Sequence, residues 1–552
     1  MTKFTAEDAL RSRWSSEAKP RAVRWFGGLG LLCAVATVAL WLLAGQLSGT
    51  GYLIAIVGVV AALLGAVTCL GAAAAIQFSA AAGQLLLKVA ILIFVGGVTG
   101  IVVIAWIPAL LYGVVDSAAA QHPGGVTAAQ IQEYLQGQSS IGGPLVVWAA
   151  YALWPLQFQI TRDVLSLVGV VGFVSLVAMF GIWWERKIAA RIQSRLGPMR
   201  VGGWHGWAQS MADGIKLIQK EDIDLAGADR LLFKMAPYIA FMPALSLFIA
   251  LPFSAAWVCR DMDVGIIFIL AMMGVGVIGV LLGGWASNNK WSMYGAMREA
   301  AQMISYEIPL GFALLVPIMT AGTLRLTAIG ELQSGGFHTW LAFYNPFTLA
   351  AALLFFVATL ASCKRAPFDL PEAESELVAG YMTEYSGFRW SLFMFAEYSE
   401  MYAVAGLMAV LFCGAWYSPL PAAWGAAWAH GPLWQRALYG IVFSGPLWFV
   451  FKGFFFFYVQ LWLRWTLPRI RLDQVMYACV QVMLPLSMLV LLGNTVWELL
   501  VPRGSVLAVA ANMACTVVGA VLIVGFFVIM TYGLRYRRRL VGTLAVDHLP
   551  GA

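Results

Sequence analysis

Charge is what this sequence has least of. Of 552 residues only 11% are Asp, Glu, Lys or Arg, while 61% are hydrophobic and 13% aromatic. Ordinary soluble domains carry roughly 25% charge, so the shortage excludes a water-soluble multidomain enzyme. The hydrophobicity equally excludes disorder. Histidine is also sparse, with five residues dispersed along the chain and none paired like haem ligands on facing helices. The seven cysteines (Cys33, Cys69, Cys259, Cys363, Cys413, Cys479 and Cys515) are scattered, mostly inside apolar runs. No CxxC or Cys/His grouping has metal-ligand spacing, so no metal site is expected on this chain. Redox centres that serve it are expected mainly on another subunit. The short alternating segments of a membrane β-barrel are also missing. Continuous apolar runs instead approach or exceed the ~18 residues that suggest a spanning helix. The fold class expected is an all-α polytopic membrane protein.

Twelve spans are predicted, over 26–47, 52–76, 89–115, 164–184, 236–256, 264–285, 303–322, 346–363, 390–416, 437–462, 475–499 and 506–534. The first follows a basic segment and is longer than the about 7–15 residues of a signal-peptide core, so a retained helix is expected. Cytoplasmic loops collect Lys and Arg, and with both termini inside, 28 of the 34 basic residues fall in cytoplasmic loops and five outside. Topology therefore accounts for the net charge of +7 without nucleic acid as a partner. The inside segment 185–235 places Met211, Ile215 and Ile218 at helical spacing, which predicts an amphipathic helix at the membrane surface. The outside segment 116–162 reads as a periplasmic loop with a short helix around 127–137.

Acids near the bilayer are the candidates for chemistry, because an ionisable group inside a membrane is costly. Glu307, two residues before Pro309, reads either as an interfacial carboxylate paired with Arg298 or Lys290, or as a buried carboxylate able to exchange a proton. Glu397 and Glu400 lie three apart on one helix face. Lys452, the intramembrane lysine, is a candidate structural partner for them, and proton relay is the alternative. Asp369, Glu372, Glu374, Glu376 and Glu384 crowd a proline-flanked loop beside Lys364 and Arg365, which favours a specific cavity over a solvated face. Glu185 stands next to Arg186 and Lys187 and should be either paired or part of a polar cavity mouth.

These motifs carry a resemblance. Glu185-Arg186-Lys187 with Arg195-x-Gly197-Pro198, Ala212-Asp213-x-x-Lys216 and Lys220-Glu221 resembles the first cytoplasmic loop of the quinone-site membrane subunit of respiratory complex I. This is the subunit 1 family of proton-pumping NADH:quinone oxidoreductases. Ala301-Gln302-x-Ile304-Ser305-Tyr306-Glu307 is similar to its next motif. The third is matched by Arg365-Ala-Pro-Phe-Asp369-Leu-Pro-Glu372-x-Glu374-x-Glu376, with Glu384-Tyr385-Ser386-Gly387 and Ala396-Glu397-Tyr398. Arg464 to Gln474 resembles the late cytoplasmic loop. Met199, where the family often has asparagine, and a slightly lengthened 202–206 depart from the pattern.

The resemblance implies a membrane subunit that forms much of the quinone chamber and couples quinone reduction to proton translocation. Glu185, Arg186, Arg195, Asp213, Lys216 and Arg365 would line or support the chamber. Glu307, Asp369, Glu372, Glu374, Glu376, Glu384 and Glu397 would carry the proton coupling. Quinone is the implied substrate. FMN and iron–sulfur clusters would sit on partners, namely the hydrophilic quinone-module subunits, with further membrane subunits and phospholipid alongside. The expected location is the bacterial inner membrane. An eight-helix core over 161–500 would be preceded by a 1–160 extension with three spans and followed by an extra helix and basic tail over 501–552. The alternative is the homologous membrane subunit of an energy-converting hydrogenase or of a related ferredoxin- or deazaflavin-linked complex.

Overall fold

A computed structural model describes residues 130–131, 158–202, 205–255, 257–421 and 445–540. The spans expected over 26–47, 52–76 and 89–115 lie outside these residues. Every regular element among the described residues is helical. Eight helices are long and apolar enough to cross a bilayer, and Pro346–Ser362 is a shorter apolar helix. Together they correspond to the nine spans predicted from residue 164 onward.

By its contacts the chain divides into two compact units, 1–173 and 174–552. In the first, Gln130 and Ile131 are helical, inside the short helix expected around 127–137, and 159–173 begin the first long helix. That helix, α1 (Gln159–Ile192), runs across the division. The second unit contains α2 (Gln209–Gln219), α3 (Arg230–Ala250), α4 (Gly265–Ala286) and α5 (Lys290–Ala321). After it come α6 (Leu326–Glu331), α7 (Pro346–Ser362), α8 (Glu374–Leu377) and α9 (Gly387–Phe412). The last described elements are α10 (Gly445–Thr466), α11 (Leu472–Leu500, with a π-helical stretch Tyr477–Met483) and α12 (Val506–Leu540).

Two boundaries differ from expectation, and both matter for the site. α1 continues to Ile192, so Glu185, Arg186 and Lys187 lie on a helix and not in the loop after it. α5 starts at Lys290, well before residue 303, because Asn289 caps it by accepting a hydrogen bond from the Trp291 N–H at 2.9 Å. The polar turns ahead of the apolar stretch are therefore helical too. Elsewhere Asp229 caps α3, and Asn345 with Thr348 forms a capping box on α7, with Pro346 in the first turn.

α9 is the hub of the second unit, buried around nearly its whole length. It packs against α3 and α10. Small residues let backbones approach, as is usual between membrane helices. A Cβ on Gly279 of α4 would collide with the Ala240 backbone of α3. Gly380, with φ +56°, leaves the turn after α8 directly against Gly295 of α5. Far along the sequence, Asn512 of α12 donates to the carbonyls of His338 and Phe343 at 3.0 and 3.1 Å. The surface helix expected in 185–235 is α2, whose Met211, Ile215 and Ile218 are 45%, 56% and 69% exposed.

Candidate functional site

At one end of the second unit, charged side chains from five elements converge. Gly181 on α1 makes room for this. A Cβ there would lie 2.7 Å from the Phe457 ring and 2.9 Å from the Tyr398 ring, so α1 packs closely on α9 and α10. One turn further, Glu185 shares that face and is buried. Its Oε1 accepts from Arg464 at 2.6 Å and its Oε2 from the Tyr398 hydroxyl at 2.5 Å. Arg365, fully buried, approaches the same carboxylate at 3.7 Å and Glu397 at 3.4 Å. Its guanidinium also sits 4.8 Å from the Tyr398 ring centroid, a cation–π contact that helps hold a desolvated charge.

From Glu397 the network continues. The Tyr381 hydroxyl lies 3.1 Å from Glu397 Oε1 and 3.2 Å from Glu372 Oε1. One O–H cannot donate fully to both, so the proton position depends on the charge of each acid. Burial, followed by the nearness of Glu397, pushes the Glu372 carboxyl well above the usual carboxylate range. Asp369 completes the inner loop, paired with Arg469 at 3.2 Å. Burial raises its pKa to about 6 although Arg469 pulls the other way.

The site residues expected from sequence thus separate into groups. Glu185, Arg365, Asp369, Glu372 and Glu397 are brought together. Glu376 is not with them: its side chain is 50% exposed and pairs with Arg298 at 2.6 Å. Glu384 accepts from the Asn289 side chain at 2.5 Å and so braces the cap of α5. Glu374 opens α8, and its side chain lies outside the described residues. Arg186, Asp213 and Lys216 form a surface network, with Arg186 2.5 Å and Lys216 3.7 Å from Asp213. Arg195 is exposed and donates to Gln193 at 2.7 Å.

Two expectations are corrected. Glu307, expected either buried or paired with Arg298 or Lys290, is exposed on α5 beside Gly274 of α4, while Arg298 pairs with Glu376 and Lys290 lies over Trp291. The buried side of α5 carries Glu299, Gln302 and Tyr306, and residue 307, one helical step beyond Tyr306, points away from it. Lys452 does not partner Glu397 or Glu400. It donates to the carbonyls of Ala415 and Tyr417 at 3.0 and 2.7 Å and rests 4.5 Å from the Trp340 ring, beyond the C-terminal end of α9.

Sequence reasoning missed Glu299 and Lys364, both buried and 3.3 Å apart, and the two tyrosines that bridge the acids. Glu299 shares a helix face with Gln302 and Tyr306, a 3- and 7-residue spacing that would have pointed inward had the start of α5 been recognised. Beside α2 an open hollow of about 520 Å³ is lined by Ala212, Ile215, Lys216, Gln219 and Lys220. It combines apolar and cationic groups, which suits a ligand with a polar head and an apolar tail. The 220–224 segment behind it is clamped to α9 by Arg389, at 2.6 Å from Asp222 and 2.7 Å from Asp224.

Comparison with known proteins matches this part of the chain. The family model described as NADH dehydrogenase matches residues 165–495. The H subunit of the NADH-quinone oxidoreductase of Chlorobaculum parvum is 45% identical over 331 residues, 59% of this chain and 89% of that protein. Its counterpart of the same name from Chlorobium luteolum is 43% identical over 370 residues, 66% and 96% respectively. That of Anaeromyxobacter dehalogenans is 41% identical over 391 residues, 70% and 92%.

Proposed function

The chain belongs to the NADH dehydrogenase family and is a membrane subunit of an NADH-quinone oxidoreductase, the complex I type of enzyme; on that premise we propose that its buried charge network couples quinone reduction to proton movement. The observation that carries the reading is the unbroken run Arg464–Glu185–Arg365–Glu397–Tyr381–Glu372, every link between 2.6 and 3.7 Å. In a low-dielectric interior the charge state of each member shifts its neighbours, so a change at one end is felt at the other. Reduction of quinone to quinol takes up two electrons and two protons. Proton uptake near Glu185 would weaken its hold on Arg365, which would then favour Glu397 and redirect the Tyr381 hydroxyl toward Glu372.

The exposed apolar face of α2 and the hollow beside it, edged by Lys216 and Lys220, support a quinone approach from the bilayer, with phospholipid around the same helix. Arg186, Asp213 and Arg195 would then face the substrate path or the hydrophilic subunits that carry FMN and the iron–sulfur clusters. Glu307, exposed midway along a spanning helix, would be covered by a neighbouring membrane subunit, since a lipid-facing carboxylate is costly. Glu374, Glu376 and Glu384 would lie along the same acidic path. The full chain would have about twelve spans: an N-terminal extension over 1–160, the core over 161–500 and an extra helix and tail over 501–552. Both termini would face the cytoplasm of a bacterial inner membrane. The names of the relatives favour this quinone enzyme over the energy-converting hydrogenase reading.

Glu397→Gln in the assembled complex tests the coupling. It should lower quinone-reductase turnover and proton uptake into inverted vesicles roughly tenfold, while NADH oxidation by an artificial hydrophilic acceptor is kept. Coupled activity equal to that of the unaltered complex would overturn the relay.

A further inference from the structure

The coupling network just described leaves one buried ion pair unused. Glu299 on α5 is 1% exposed and neither of its oxygens makes a hydrogen bond. Its ion-pair partner at 3.3 Å is Lys364, equally buried, which also lies 5.8 Å from the Tyr381 ring centroid. Lys364 adopts a left-handed backbone with φ +52°, uncommon for a residue with a side chain. Consecutive residues therefore serve two acid groups: Arg365 pairs with Glu185 and Glu397, whereas Lys364 pairs with Glu299 and lies within the electrostatic reach of Glu400 and Glu397. Burial opposes the charge on Lys364, and these three carboxylates outweigh it, so the group remains an ammonium.

Glu400 is on α9, three residues from Glu397, and its Oε1 lies only 3.1 Å from where a Cβ on Gly276 would stand. α4 thus has glycine where this carboxylate needs room. The other titratable groups near it include Tyr306 from α5 and Cys363 from the end of α7, while Tyr381 from the turn after α8 lies nearer Glu299 and Glu397. Cys363 stays a thiol because burial raises it.

Charge balance then constrains the whole assembly. Glu185, Glu299, Asp369, Glu372, Glu397 and Glu400 stand against Lys364, Arg365, Arg464 and Arg469, which leaves two negative charges uncompensated if every acid ionises. Uncompensated buried charge is expensive, and sites of this kind take up protons instead. The Glu372–Tyr381–Glu397 bridge offers a place for one of them. The second has to reside elsewhere in the group.

We propose that Glu299, Lys364 and Glu400 form a second proton-holding site, in series with Glu397, in which one proton is exchanged between the two carboxylates while the lysine ammonium moves toward whichever is ionised. The O–H bond of one carboxylic acid breaks as the O–H bond of the other forms, with no electron transferred and no net charge created. Ser292 Oγ and Gln302 Oε1, buried without a hydrogen-bond partner on the same helix as Glu299, offer water additional anchoring points. The site rests on the coupling role proposed above and extends it toward Glu307, whose Oε1 lies against Gly274 of the same helix that Glu400 touches at Gly276.

The test compares Glu299→Gln, Lys364→Met and the double variant in the whole complex, with Glu397→Gln as reference. A structural ion pair tolerates removal of both charges far better than removal of one. Each single variant should reduce coupled quinone turnover roughly tenfold. The double variant should recover the amount of assembled complex but keep the depressed turnover. Recovery of turnover to within about twofold of the unaltered complex would overturn the site and leave a structural bridge. If Glu397→Gln also has no effect, the coupling reading itself falls. If Glu397→Gln is impaired and the double variant is not, only the present inference falls. Should Glu299→Gln fail to assemble, Glu400→Gln carries the same test. In redox-difference infrared spectra it should remove a protonated-carboxyl band, and retention of every such band would also overturn the proposal.

Discussion

Glu185 and Arg186 are neighbours on one helix, yet they belong to different physical worlds. Successive helical residues point about 100° apart, so Glu185 enters the buried network with Arg365, Arg464 and Tyr398, while Arg186 turns to Asp213 at the surface. Both make short ion pairs. In the interior a pair is poorly screened and its members cannot be rescued by water. At the surface, water and salt weaken it. A motif that looks like a single cluster of charges is thus two devices, one holding charge away from water and one meeting solvent.

The largest effect should come from Arg365→Ala. It leaves Glu185 and Glu397 without their shared cation, a loss of roughly 3–5 kcal/mol for a buried pair. The expected outcome is a marked fall in the thermal stability of the complex or in its yield. Unchanged melting would mean the buried cluster is much better solvated than its packing implies, and the comparison would lose its basis.

Asp369→Asn should have an intermediate effect, read best against pH. Burial lifts Asp369 from 3.8 to about 6, so between those values the folded chain holds a proton that the unfolded chain has released. The sign follows: this group favours the fold at low pH, and its contribution is lost as pH rises through about 6. Above that value the ionised carboxylate fully engages Arg469. Asparagine should flatten the stability slope in this window and remove the corresponding limb of the turnover profile. An identical profile for the variant would show that Asp369 is not the titrating group.

The smallest effect is expected for Arg186→Ala. A double-mutant cycle with Asp213→Ala should give about 0.2–1 kcal/mol, falling further as salt is added. A salt-insensitive coupling above about 2 kcal/mol, closer to a buried pair, would show that assembly covers this surface and would blur the division between the two regions.

Much of this organisation was legible in the residues themselves. All nine long or shorter apolar helices from residue 164 on were visible as apolar runs, because the bilayer imposes length and composition directly. The acids around Arg365 stood out because charge is rare here. Where a helix begins, and so which of its sides faces inward, was harder to read. With Arg298 and Glu299 just before the apolar run, the start of α5 looked like a loop, so Glu299 drew no attention, and Glu307 stayed open between an interfacial pair and a buried carboxylate. The cap at Asn289 makes Glu299 helical, and packing of the Glu299, Gln302 and Tyr306 side leaves Glu307 outward. Lys452 failed for a different reason: hydropathy reports that a lysine is inside a span but not how far along it. Its position beyond the C-terminal end of α9 follows from helix packing, not composition. Glu376 separates from Glu372 because the short helix α8 turns the chain between them, a local bend that no periodicity marks.

The seam between Gly295 and Gly380 has a mechanical consequence. With no side chain on either residue, the backbone of the turn that carries Tyr381 bears directly on the backbone of α5. Such a joint has little slack, since neither side has a rotamer to yield. Any displacement of the turn that carries Tyr381 would therefore press on the main chain of α5, the helix that also carries Glu299 and Glu307. The seam acts as a bearing surface, and even one methyl group inserted at Gly295 would jam it.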